Sequence, residues 1–91
     1  MPLFTVHRYL PGLTPEQLSA LRKALTEAAR RLSAEGQPVR YLRTIYVPSR
    51  GHCCCVFAAN TAGAVARAAE LAQLPFAAVD EAMEVCGAGC S

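Results

Sequence analysis

The chain has 91 residues, 53% of them apolar and 18% charged, enough for one core with little margin of burial, so apolar surface and a partner subunit are expected. A net charge of +2 is too small to argue for nucleic acid, even though most of the basic residues lie between Arg22 and Arg50. No apolar run approaches the ~20 residues of a membrane span, and an odd cysteine count of 5 argues against a secreted disulfide framework and for reduced thiols in the cytoplasm.

Leu3 to Leu10 mixes aromatic, β-branched and apolar residues and runs into Pro11-Gly12, which predicts a strand closed by a turn. Both of its faces are partly apolar, as in a central strand. Thr14, Pro15 and Gln17 then give a capping box with proline at the first helical position, and Leu13 and Leu18 sit where a hydrophobic staple would close. Leu18, Leu21, Ala24, Leu25, Ala28 and Leu32 fall on one helical face, and Gly36 stops the helix. Val39 to Val47 returns to alternation, and Pro48-Ser49-Arg50-Gly51 is turn chemistry, so a hairpin joins it to the next strand. That strand is Arg50-Gly51-His52-Cys53-Cys54-Cys55-Val56-Phe57-Ala58. Asn60 or Thr61 caps a second helix from Ala62 to about Gln73, broken by Pro75, and a fourth strand is expected around Ala82 to Cys86. Residues 1–86 read as a single domain, and residues 87–91 as a flexible tail.

Strand, helix, strand, strand, helix, strand is the ferredoxin-like βαββαβ order: α+β, with two helices on one face of a four-stranded antiparallel sheet. Right-handed crossovers put the first and third strands side by side, with His7 opposite Cys54 or Cys55. Alternation sends Cys53, Cys55 and Phe57 to one face and His52, Cys54 and Val56 to the other. Imidazole and thiolate are ligands for nickel, zinc and copper, so His7, Cys53 and Cys55 are the candidate metal ligands if they share a face. The alternative is that the cysteines pack as small apolar residues and that His7 is satisfied by Tyr9 or the backbone. Cys86 and Cys90 form a second pair in a glycine-rich tail whose composition favours disorder over ligation.

Other chemistries find less. No orienting carboxylate accompanies either histidine, so a nucleophilic cysteine is the weaker reading. Asp80, Glu81 and Glu84 read as a solvated face, and the glycines form no phosphate cradle. Arg50-Gly51 with Phe57 partly matches the RNA-recognition signature, but His52 and Cys54 occupy the positions that need stacking aromatics.

The runs Val6-His7-Arg8-Tyr9-Leu10-Pro11-Gly12, Arg40-Tyr41-Leu42-Arg43-Thr44-Ile45-Tyr46-Val47-Pro48, Cys53-x-Cys55-Val56-Phe57-Ala58-Ala59 and Leu74-Pro75-Phe76 together resemble the small bacterial nickel-binding-protein-like family. The resemblance implies a ferredoxin-like homodimer holding nickel or a similar transition ion, with histidine or glutamate at the place of His7 and cysteine at Cys53 or Cys55. Cys54, Cys86 and Cys90 depart from the family pattern and favour a softer ion, copper or zinc. The expected function is therefore a non-catalytic, cytoplasmic, dimeric metal-binding protein. A cofactor-free dimeric enzyme with a pocket lined by Tyr9, Tyr41 or Tyr46 is the alternative, and an RNA-binding module the third reading.

Overall fold

The structure is a computed structural model that describes residues 1–74 and 78–87. Its elements are β1 (Leu3–Tyr9), α1 (Pro15–Ala34), β2 (Val39–Val47), a 3₁₀ turn (Pro48–Arg50), β3 (His52–Ala59), α2 (Ala62–Leu71) and β4 (Ala78–Ala82). All strand pairs are antiparallel, in the order β2-β3-β1-β4. This is the expected ferredoxin-like arrangement, with β1 and β3 at the centre.

Local chemistry explains the element ends. The Thr14 hydroxyl accepts from the Gln17 amide at 3.1 Å, and Gln17 Oε1 accepts from the Thr14 amide at 2.9 Å, which together satisfy two otherwise orphaned donors of α1. Thr61 caps α2 in the same way through the Ala64 amide. Gly51 turns the hairpin at φ 60°, and a Cβ there would stand 3.0 Å from Pro11 Cα, so the turn has both the dihedral and the close approach that call for glycine.

The core lies between the helices and one face of the sheet. Phe4 and Val6 of β1, Cys53, Cys55 and Phe57 of β3, Leu25, Ala28 and Leu32 of α1, and Val65 and Ala68 of α2 are all buried in it. Tyr41 packs edge-on against Phe57, ring centroids 5.6 Å apart. The alanines of α2 let its backbone lie close to the sheet, which suits an element whose buried residues are Ala64, Val65, Ala68 and Ala69.

Two boundaries differ from expectation. Helix α2 ends at Leu71, and Gln73 takes a left-handed φ of 57° while the Leu74 amide bonds back to the Ala69 carbonyl at 3.0 Å, which turns Leu74 into the core. Strand β4 is Ala78–Ala82, earlier than the segment to Cys86 that its apolar residues suggest. The reason lies in its partner: β1 begins at Leu3, and the ladder from His7↔Ala78 to Leu3↔Ala82 already uses that first residue, so Met83 and the residues after it run past the end of the partner strand. Met83 and Val85 are instead almost fully exposed. Of the tail expected to be flexible, residues 88–91 lie outside the described residues.

Candidate functional site

Alternation along β3 divides its chemistry between two faces. Cys53 and Cys55 point toward the helices, where both are buried, and their sulfurs stand 4.0 Å apart. Thr44, opposite Cys55 on β2, donates its hydroxyl to Cys55 Sγ at 3.4 Å and also meets the Tyr41 hydroxyl at 2.6 Å. Burial pushes the Cys53 thiol up, and pushes Cys55 up to about 12, because a thiolate would lose its hydration there. Arg8 is directly across the ladder from Cys53 and so on the same face, and its buried Nε has no hydrogen-bond partner.

The other face is the open one. The register places His7 opposite Cys54 and Tyr9 opposite His52, so His7, His52 and Cys54 share it. His7 Nδ1 lies 3.1 Å from His52 Nε2, the ring centroids are 5.2 Å apart and tilted by 32°, and His7 Nε2 lies 3.0 Å from the Thr5 hydroxyl. When Nε2–H donates to Thr5, Nδ1 is left as a lone pair aimed at His52, the kind of outer contact that orients a ligating histidine. Cys54 is only partly buried; burial, and then the neighbouring Cys55, pushes its thiol up.

This geometry corrects the expected grouping of His7, Cys53 and Cys55. The structure brings Cys53 and Cys55 together but sets His7 on the opposite side of the sheet, because the pairing is His7↔Cys54, and one step of register exchanges the faces. Its neighbour is His52, with Thr5, in place of Tyr9 or the backbone. Thiol chemistry alone does not point to His52 as the partner of His7; its two-residue spacing from Cys54 places both on the face that His7 shares. Cys86 is exposed and irregular in backbone, and Cys90 lies outside the described residues.

Tyr9, Tyr41 and Tyr46, the tyrosines that would line a pocket under the enzyme alternative, are divided between the two faces of the sheet. Tyr9 is exposed on the open side, while Tyr46 spends its hydroxyl on the Leu13 amide and Leu10 carbonyl, and Tyr41 bonds Thr44. Among the described residues no three His, Cys, Asp or Glu side chains converge to hold a metal ion. Pairs do form. Two nitrogens bound to one ion at ~2.0–2.1 Å stand about 2.9–3.4 Å apart for bond angles from square to tetrahedral, and the His7–His52 separation of 3.1 Å falls inside that range. Among the described residues no helix is long and apolar enough to cross a membrane.

A family model described as "Nickel responsive protein SCO4226-like" matches residues 4–81 of the chain. The crystal structure of SCO4226 from Streptomyces coelicolor A3(2) is similar with a TM-score of 0.74 at 21% identity, over 92% of this chain and 99% of that one. At that identity the structural likeness speaks to the fold. No curated protein matches the chain.

Proposed function

Because the chain belongs to the SCO4226-like family of nickel responsive proteins, we propose that it binds nickel without catalytic turnover, through its own His7–His52 pair, as a cytoplasmic homodimer. The observation that carries this reading is the 3.1 Å approach of two ring nitrogens on the open face, with Thr5 holding the far side of His7. Imidazole suits nickel, zinc and copper(II) alike, and copper(II) is the stronger competitor. Water and groups from a second copy complete the coordination.

The open face also suits a second copy of the chain. Tyr9 and Ile45 are exposed on it, and Met83 and Val85 flank Glu84, whose carboxylate accepts from Arg43 Nη1 at 2.9 Å. Arg43 is on β2 and Glu84 follows β4, at opposite edges, so this ion pair spans the open face over β3 and β1. Arg40 on β2 makes one edge basic, and Asp80 on β4 makes the other acidic. A two-fold axis parallel to the strands lays each basic edge over the partner's acidic one and covers the apolar side chains.

Calorimetric titration of reduced, tag-free protein with nickel tests the site. His7→Ala and His52→Ala are each expected to weaken binding by more than about 100-fold, while Cys53→Ala leaves it unchanged. Unaltered affinity in the His7→Ala, His52→Ala double variant would overturn the assignment.

A further inference from the structure

We propose a second metal site, independent of the imidazole pair: the buried thiols of Cys53 and Cys55 take one copper(I) ion. Two thiolates bound to one ion at ~2.3 Å stand about 3.8–4.0 Å apart for angles between tetrahedral and trigonal, and these sulfurs are already 4.0 Å apart. The pair is therefore set for an ion before one arrives. Soft sulfur selects copper(I) or zinc over nickel, and among the described residues no third His, Cys, Asp or Glu converges with the pair. Zinc requires four ligands, whereas copper(I) is stable with three; a linear two-coordinate ion would set the sulfurs about 4.6 Å apart, so the observed 4.0 Å fits a trigonal copper(I) whose third ligand is a small exogenous thiol or halide.

Charge and access agree with that choice. Two thiolates and one copper(I) leave a single net negative charge in a dry setting, a far smaller burden than two bare thiolates. Arg8, across the ladder from Cys53 and on the same face, brings a cation whose Nε is buried with no partner, a donor in want of an acceptor. Thr44, which donates to Cys55 Sγ, also lines a cleft of about 390 Å³ between α1 and β2, together with Leu18, Ser19, Arg22 and Tyr46. One hydroxyl thus separates the cleft from the sulfur, which gives the ion a way in.

Anaerobic titration with copper(I) against a chromophoric copper(I) chelator tests the proposal. The wild type should retain one equivalent per chain; Cys53→Ala and Cys55→Ala should each weaken retention by more than about 100-fold, and Cys54→Ala should not. The His7→Ala, His52→Ala variant, which removes the proposed nickel ligands, should hold copper(I) as the wild type does, so failure of one site is distinguishable from failure of the other. X-ray absorption of the copper-loaded wild type needs no variant to fold, and should show a sulfur shell at ~2.2–2.3 Å. A nitrogen shell, no retained copper, or retention undiminished in the Cys53→Ala, Cys55→Ala double variant would overturn it.

Discussion

Truncating Phe57 to alanine should cost the fold about 3–5 kcal/mol, a large part of the ~5–14 kcal/mol expected for a chain of this length. Phe57 has no exposed surface, lies on a central strand opposite Phe4, and packs edge-on with Tyr41. The ring touches β1, β2 and the helices' side of the core at once, so its loss opens a cavity that no single neighbour can fill. Urea denaturation followed by far-ultraviolet circular dichroism should show a midpoint displaced by that amount. Lys23→Ala, on the exposed side of α1, should change it by less than about 0.5 kcal/mol. Equal shifts in the two variants would mean that the core is not where the sheet and helices place it.

The second large effect is alkaline. Burial pushes the Cys55 thiol up to about 12, against an ordinary value of 9.0. Below the ordinary value both folded and unfolded chains hold the proton, and the stabilisation is fully present. As pH rises from there toward 12, the unfolded chain gives up its proton while the folded chain keeps it, so stability falls with pH. At about 1.4 kcal/mol per unit the loss reaches at most roughly 4 kcal/mol, with Cys53 and Tyr41 adding in the same direction. Stability measured by urea at stepped pH should therefore decline steeply above pH ~9, and Cys55→Val should flatten much of that slope. A slope unchanged by the substitution would show that the thiol is not held away from water.

How much of this was legible depends on which signal each part of the chain carries. The first helix announces itself because Thr14, Pro15 and Gln17 are local chemistry, and Leu25, Ala28 and Leu32 repeat at the helical period and are buried as that period requires. The assignment of Cys53, Cys55 and Phe57 to the helix side follows from alternation, which needs no knowledge of the partner strand. The place of His7 does need it. A ladder known only to within one residue leaves its face undecided, and the observed pairing with Cys54 joins it to His52 and separates it from the two buried sulfurs. The fourth strand lies earlier than its pattern suggests for a related reason: Met83 and Val85 alternate like a strand, but β1 begins at Leu3 and leaves them nothing to pair with. Pairing between distant segments is the information that periodicity does not hold.

The central claim is that nickel sits between the two histidine rings on the open face. Nickel-edge anomalous scattering from crystals of the reduced, nickel-loaded chain tests it most directly. A peak is expected within bonding distance of both His7 Nδ1 and His52 Nε2. A peak at Cys53 and Cys55 with the rings still hydrogen-bonded to each other, or no ordered nickel on that face, would contradict it.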